Sequence, residues 1–316
     1  MRIHRSNKFS AFRLIVKSGQ FGAYVLIAFM IAVCADIARA SLSTQQVLLD
    51  LDGARQPSEW THAIAELDAL APESRGALRI YAEDLSKDPQ KRMLALRASL
   101  KSLTKSQSAD ELQKICVKEH DPNFRASCVM AMGPLHQESL IAPLKQFLTS
   151  NAEDGSVQLA AAVSLAIMGD SSGKDRAIQA ISKAEPWSDS GIMALEILKA
   201  KDALPALQAA FLASNDYWVR NACRQAILRI QLAGADGKAQ LDLLADVLRE
   251  KGHLTHAQQW AARRLVQIGT KDAGMTLARA VKANDEQAGA PAMEGLRGGV
   301  EGGHWTKEET QKWLKP

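Results

Sequence analysis

Residues 121–125, Asp-Pro-Asn-Phe-Arg, repeat the design of residues 88–92, Asp-Pro-Gln-Lys-Arg, at a distance of 33 positions. A third copy, Asp-Tyr-Trp-Val-Arg, occupies residues 216–220, and Asp154 stands another 33 positions after Asp121. Self-similarity at a period near 33 residues is typical of proteins built from stacked helical pairs. The period therefore predicts an all-α repeat architecture.

The clearest copy of the repeat begins at Val157 and recurs one hundred residues later at Ala257. In both copies the apolar residues fall at steps of four, four and three, which places them on one stripe of a helix. Two adjacent alanines allow close helix packing, and a terminal glycine, Gly169 or Gly269, supplies the positive φ that ends a helix. We expect a short turn and a second amphipathic helix after each such helix.

This frame places repeat starts near residues 91, 124, 157, 190, 219, 257 and 288. We interpret residues 41–87 as a less regular helical cap and residues 88–316 as the repeat array. Ser108 with Glu111, and Thr306 with Glu309, have the spacing of capping boxes that open second helices. The glycine-rich residues 297–303 are expected to form a long turn in the last repeat, and Trp305 and Trp313 to close its outer layer.

The Asp-Pro-x-x-Arg motif, the paired alanines and the early proline of the second helices together resemble the HEAT repeat, in the short bacterial form found in phycocyanobilin lyases. The resemblance covers roughly residues 88–315 and implies an armadillo-like, right-handed α–α superhelix of about seven helix pairs. In that family Asp and Arg form a ladder between neighbouring repeats. The residues that match the ladder are Asp88, Arg92, Asp121, Arg125, Asp216 and Arg220; at Asp154 the partner position holds Gln158, and the repeats at 190 and 257 lack the aspartate. Helix N-capping is an equally good interpretation of Asp88, Asp121, Asp154 and Asp216.

The first forty residues have the organisation of a secretory signal peptide. Five basic residues and no acid occupy positions 1–17, an apolar run covers residues 21–34, and Ala38-Arg39-Ala40 provides a cleavage site. We expect cleavage after Ala40 and a periplasmic or secreted protein, with an inner-membrane anchor as the alternative if the leader stays in place. Without residues 1–40 the chain has 33 basic and 34 acidic residues, a net charge of −1, so nucleic-acid binding is not expected.

The chemistry-bearing residues do not assemble into a recognisable catalytic or metal-binding motif. Cys116 and Cys128 flank the predicted turn at Asp121, so a disulfide between them is one interpretation. The equivalent positions of Cys128 and Cys223 in other repeats hold Ala161 and Ala261, which favours small core residues instead. We expect no catalytic residue, no metal site and no cofactor.

The second helices of such an array line its concave face, where we expect a protein partner to bind. The solvent positions of these helices include Lys114, Lys118, Lys145, Gln208, Asp242, Arg249, Arg279 and Lys282. The sequence thus favours a non-catalytic, exported scaffold or adaptor. The alternatives are a tetrapyrrole-lyase-like enzyme, which the resemblance implies, and a leader-anchored assembly factor for an envelope complex.

Overall fold

The computed structural model describes residues 44–70, 72–101, 103–250, 255–283 and 289–315. The regular secondary structure in these ranges is entirely helical, without a β-strand, so the prediction of an all-α protein is confirmed. None of the described helices is long and apolar enough to cross a membrane. The predicted leader, residues 1–40, lies outside the described residues.

Seventeen helices occupy the described ranges. In chain order they are α1 (44–53), α2 (Pro57–Ala69), α3 (Arg75–Glu83), α4 (Pro89–Leu100), α5 (Lys105–Lys118), α6 (Pro122–Met132), α7 (Ile141–Thr149), α8 (Gly155–Ile167), α9 (Lys174–Ser182), α10 (Ser188–Ile197), α11 (Leu204–Ala213), α12 (Tyr217–Leu232), α13 (Gly237–Arg249), α14 (Thr255–Ile268), α15 (Lys271–Ala283), α16 (Ala290–Glu301) and α17 (Lys307–Leu314). From α4 onwards the even-numbered helices are the first helices of the repeats and the odd-numbered helices are the second helices. The first six predicted repeat starts each lie two residues after the first residue of such a helix. The seventh, residue 288, lies outside the described residues.

The repeated aspartates are helix N-caps, as one of the two interpretations predicted. Asp88 accepts hydrogen bonds from the backbone N–H groups of Gln90 and Lys91, and Asp121 accepts one from Phe124. Asp154 and Asp216 have the same role at the starts of α8 and α12. A side-chain oxygen at this position satisfies donors that have no partner within the helix, which is why the motif marks the start of these four helices.

The fourth residue of α4, α6, α8 and α14, an Arg or Gln, donates to a carbonyl oxygen at the carboxyl end of the preceding helix, whereas Arg220, the fourth residue of α12, makes no such bond to a described residue. These bonds are Arg92 Nε to Ala82 O (2.8 Å), Arg125 Nη1 to Glu119 O (3.4 Å), Gln158 Nε2 to Ser150 O (2.9 Å) and Gln258 Nε2 to Glu250 O (2.9 Å). Carbonyl groups at a helix end lack partners within the helix, so each of these side chains ties a helix to its predecessor. Arg125 also forms an ion pair with Glu153, whose carboxylate lies 2.6 Å from its Nη2.

The chain divides into two compact units, residues 1–104 and 105–316, of which the first is described from residue 44. In the first unit α4 packs against α2 and α3 around the buried side chains of Leu67, Leu78 and Leu96. Lys91, which is 5% exposed, donates to the carbonyl oxygens of Asp52 (2.6 Å) and Ala54 (3.2 Å) at the end of α1. The first Asp-Pro helix, α4, therefore belongs to this unit.

In the second unit the helices pack in the order of the sequence. Each first helix from α6 to α14 contacts the first helix of the next repeat, and each first helix from α6 to α16 contacts the second helix that precedes it. The buried residues are mainly leucines and alanines of the first helices, together with apolar residues of the second helices such as Leu144, Leu207 and Leu244. Gly169 and Gly269, at φ 83° and 67°, end α8 and α14 as predicted.

The last repeat corrects one prediction. Residues 297–301 form the final turns of α16 rather than a long loop, and only Gly302 and Gly303 leave the helix. The reason is close packing: a Cβ on Gly299 would lie 1.9 Å from Cζ2 of Trp305, whose indole Nε1 donates to Leu296 O (3.1 Å). Glycine is therefore needed inside this helix for the contact that it makes with the buried indole.

The two predicted capping boxes have different outcomes. Thr306 and Glu309 form a complete capping box at the start of α17. The prediction that Ser108 opens α5 is wrong, because α5 begins three residues earlier, at Lys105, and Ser108 is buried within its first turns. A Ser and a Glu three positions apart can equally well occur inside a helix, so this spacing alone does not locate a helix start.

Candidate functional site

The eight polar residues predicted to line a binding face all lie on second helices, and all eight are exposed. Three of them are engaged within the chain. Lys145 Nζ lies 2.8 Å from an oxygen of Asp170, Arg249 pairs with Asp246 at 2.7 Å, and Lys282 donates to the carbonyl oxygen of Lys315. Lys114 and Lys118 line a shallow depression of about 400 Å³ on α5. Polar groups alone therefore do not single out a binding position on these helices.

A larger groove, of about 920 Å³, lies beside Gln208 on the same helix, α11. It is bounded by the end of α9 with the turn that follows, by the exposed side of α11, and by the first turns of α10 and α12. Its floor on α11 consists of four small residues, Ala206, Ala209, Ala210 and Ala213. Two tryptophans, Trp187 and Trp218, lie at its edges, and we call this site the aromatic groove.

Trp187 is held in a backbone conformation that residues other than glycine rarely adopt. It precedes α10 with φ 67° and ψ 15°, and half of its surface is exposed. Hydrogen bonds fix the turn around it: Glu185 N donates to Ala180 O (3.0 Å), and Ser190 N donates to Trp187 O (2.9 Å). A left-handed conformation costs about 1–2 kcal/mol for a non-glycine residue. The turn thus holds a large aromatic side chain at the groove against a conformational cost.

Trp218 occupies the second position of α12, directly after the cap residue and Tyr217. Asp216 accepts hydrogen bonds from Trp218 N (2.7 Å) and Val219 N (3.1 Å), which fixes the first turn of the helix. The indole is 67% exposed. Its ring centroid lies 5.3 Å from that of Tyr217, edge-on, and 5.2 Å from that of His256, so the indole is supported by aromatic neighbours rather than by burial.

The charged residues that the structure describes along the groove are all acidic. They are Glu185, Asp189 and Asp216. Glu185 pairs with Arg176 at 2.6 Å, and one oxygen of Asp216 caps α12. Asp189, in the first turn of α10, is exposed, and no hydrogen bond or ion pair reaches its carboxylate from the described part of the chain. The groove therefore combines aromatic edges, an alanine floor and negative charge.

A different pocket of about 480 Å³ lies between the first helices α14 and α16. Its described charges balance, because two basic residues, Arg263 and Arg297, accompany two acidic residues, Glu294 and Glu301. It has no aromatic lining residue among those described. Negative charge combined with exposed indoles is thus a property of the aromatic groove and not of both pockets.

The cysteines are thiols in a buried environment. The cysteines that the structure describes, Cys116, Cys128 and Cys223, are not disulfide-bonded, so it contains no disulfide between Cys116 and Cys128. Burial raises the pKa of the Cys116 thiol to about 12 and that of Cys223 to about 11, which disfavours the nucleophilic thiolate. Among the described residues no group of three or more His, Cys, Asp or Glu side chains is placed to hold a metal ion.

The aromatic groove was not predicted from the sequence, although one difference between the repeats pointed to it. Position two after the cap aspartate holds Gln90, Asn123 and Ser156 in other repeats, and Trp218 in this one. Gln90 and Asn123 are exposed, as Trp218 is, whereas Ser156 is buried, so packing does not explain a tryptophan at this position of α12. Comparison of the chain with protein-family models gives no match, and comparison with curated protein sequences gives none either.

Proposed function

We propose that this chain is an exported, non-catalytic scaffold with HEAT-like repeats that binds a segment of a protein partner in the aromatic groove. The observation that carries the proposal is the uncovered apolar surface of α11 between two exposed tryptophans. Large aromatic side chains on an apolar surface are the residues that contribute most to protein–protein binding energy. Solenoid proteins present such surfaces to extended partners.

The charge of the groove favours a peptide over a tetrapyrrole. Tetrapyrrole pigments carry propionate groups, which need basic partners, whereas the described charged residues of this groove are Glu185, Asp189 and Asp216. Like charges brought together in a partly desolvated site oppose binding. The scaffold proposal therefore has support that the lyase alternative lacks.

Site-specific photocrosslinking in intact cells tests the proposal. A benzoylphenylalanine residue at Ser182 or Ala209 lies in the groove, at exposed positions of α9 and α11. Gln179 and Leu212 are exposed positions on the same two helices outside the groove, and they provide matched controls. We expect a discrete adduct with one protein from the two groove positions and none from the two controls.

Equal labelling from all four positions, or from none, contradicts a partner in the groove. The mass of the mature N-terminus, measured on the same material, tests export separately, because cleavage after Ala40 leaves Ser41 as the first residue. A chain that retains residues 1–40 in the membrane fraction supports the anchored alternative instead.

A further inference from the structure

The acidic lining of the aromatic groove identifies the chemistry of its occupant. We propose that the groove binds a cationic, amphipathic peptide segment, in which an apolar side chain rests on the alanine floor and a neighbouring lysine or arginine meets the carboxylates. This inference rests on the proposed function and names the class of partner for that site.

The carboxylates of Asp189 and Asp216 are available to a basic side chain of the occupant. Asp189 is exposed and, within the part of the chain that the structure describes, makes no ion pair or hydrogen bond. Asp216 uses its Oδ1 to cap α12, and no donor among the described residues reaches its other oxygen. A basic side chain in the groove would supply the partner that these groups lack, and complementary charge gives an interface its specificity.

Helix dipoles change the charge of the groove little. Its carboxyl ends belong to α9, which Lys183 follows directly, and to α11, whose Phe211 ring lies 5.2 Å from the Arg220 guanidinium. Its amino ends belong to α10 and α12, and each carries an acid, Asp189 or Asp216, that offsets the positive end of its helix. The attraction for a cation therefore comes from the carboxylates.

The tryptophans and the alanines determine which other side chains the occupant can place in the groove. An indole face attracts a lysine or arginine cation as well as an apolar side chain, and Trp187 and Trp218 present half or more of their surfaces to solvent. The small residues Ala206, Ala209 and Ala213 leave room for a side chain of the ligand. A site with its aromatic groups this exposed suits a chain segment that continues beyond both ends, rather than an enclosed small molecule.

Binding measurements with tryptophan-free synthetic peptides test the inference. The first peptide alternates lysine and leucine around a central phenylalanine; a second replaces each lysine with glutamate, and a third replaces each lysine with serine. Calorimetry on the full mature chain gives affinity, and the fluorescence of the wild type against Trp218→Phe locates the site. We expect the lysine peptide to bind at least about tenfold more tightly than the glutamate peptide, with affinity falling as salt is raised.

Two matched variants separate groove charge from general charge. Asp189→Asn removes the unpaired carboxylate of the groove, and Asp175→Asn removes an exposed acid from the same position, the first turn, of the neighbouring helix α9. Both changes remove one negative charge from a helix amino end. We expect Asp189→Asn to weaken the lysine peptide by about three- to tenfold and Asp175→Asn by less than about twofold. Trp218→Ala should weaken it by about tenfold or more.

The outcomes distinguish this inference from the function on which it rests. If the glutamate or serine peptide binds as tightly as the lysine peptide, and Trp218→Ala abolishes that binding, the cationic class is wrong while the peptide groove stands. If no peptide binds, the cationic class is also wrong, and position-specific crosslinks from Ser182 and Ala209 decide whether the groove has a protein partner at all.

Two further probes exclude other occupants. Spermidine that binds as tightly as the lysine peptide and depends equally on Asp189 indicates a site for small cations. Chitin oligosaccharide that binds the groove in a Trp218-dependent way, in the absence of peptide binding, indicates a glycan site. Either result overturns the inference.

Discussion

Helices α8 and α11 are almost equally apolar in sequence but differ in how much of that surface other helices cover. In α8, residues 155–167, ten side chains from Ser156 to Ala166 are buried. In α11, residues 204–213, nine of the ten residues are apolar or proline, yet only Leu207 is fully buried and Leu212 is 76% exposed. Helix α8 packs against α6, α7, α9 and α10, whereas the main contacts of α11 are with α9 and α12.

The contrast separates two uses of the same residue types. Apolar residues on α8 exclude water and hold neighbouring layers together. Similar residues on α11 are left for solvent, which is unfavourable for the isolated chain because exposed apolar area costs about 25 cal/mol per Å² relative to burial. A surface kept in that condition next to Trp187 and Trp218 is better explained by a partner than by the stability of the chain.

The largest expected effect compares the same substitution on the two helices. Leu165→Ala, at a fully buried position of α8, should lower the free energy of unfolding by about 2–5 kcal/mol, since it removes buried methyl groups and leaves a cavity. Leu212→Ala, on α11, should change it by about 0.5 kcal/mol or less. Urea unfolding followed by circular dichroism measures both. Similar losses would mean that α11 is as well covered as α8.

The two regions also differ in how one layer is joined to the next. Arg125 pairs with Glu153, and both side chains are largely buried, so Arg125→Met should cost about 2 kcal/mol because it leaves the carboxylate without a partner. Arg220, beside α11, lies with its guanidinium 5.2 Å from the Phe211 ring, much as Arg125 lies against Phe147, but it forms no ion pair with a described residue.

We therefore expect Arg220→Met to cost about 0.5 kcal/mol or less, because methionine keeps the contact with Phe211. Arg125→Gln should recover part of the loss, since glutamine already makes the equivalent bond at Gln158 and Gln258. Chemical unfolding of the three variants is the measurement. A larger loss at Arg220 than at Arg125 would contradict the view that the layers near the groove are less firmly joined.

The conformation of Trp187 predicts a reversed order of two substitutions. Because its φ is 67°, Trp187→Gly should be more stable than Trp187→Ala by about 1 kcal/mol, although glycine is ordinarily the worse replacement. Trp218 lies within the first turn of α12, so there alanine should be the more stable replacement, by about 0.5–1 kcal/mol. Thermal unfolding of the four variants tests both orders, and the same order at both sites would show that Trp187 is not strained.

The smallest expected effect concerns the pH dependence of the covered region. The hydrogen bond and charge of Lys145, with the hydroxyl of Ser172, lower the pKa of Asp170 from 3.8 to about 2. A carboxyl whose pKa is lower in the folded state stabilises the fold above pH 4, and that contribution disappears as the pH falls from about 4 to about 2.

Since Lys145 is nearly half exposed, we expect the pair to contribute about 1 kcal/mol or less at neutral pH. The difference in unfolding free energy between the wild type and Lys145→Met should shrink across this pH range. Lys114→Met, which removes an exposed lysine of another second helix with no ion pair in the described chain, is the matched control, and its difference from the wild type should stay constant across this range.

Much of the fold could be predicted from the sequence because the repeat depends on local rules. Asp154 and Asp216 mark helix starts through bonds to residues two or three positions away, and Gly169 marks a helix end through its own φ. The glycine-rich residues 297–301 could not be assigned correctly by the same rules. Their helical conformation depends on a contact with Trp305 that local composition does not encode.

The eight candidate residues lie on second helices as predicted, but the groove was not predicted at all. Gln208 identified α11, whereas Trp187 and Asp189 come from a repeat that matched the pattern poorly. The groove exists because Ile181, Ala209 and Trp218, on three different helices, border one space. Whether an apolar helix remains uncovered depends on the packing of all its neighbours. The periodicity of a single helix contains no information about that packing.

Trp218 stands at a place where a repeat protein is free to change. The second residues of α4, α6 and α12 each follow an aspartate N-cap and are exposed, so Gln90, Asn123 and Trp218 can replace one another with little effect on folding. At the same position α8 and α16 hold Ser156 and Pro291, which are buried and lack this freedom. New recognition properties can therefore arise by single substitutions in the layers where this site is exposed, with little cost to the packing that keeps the layers dry.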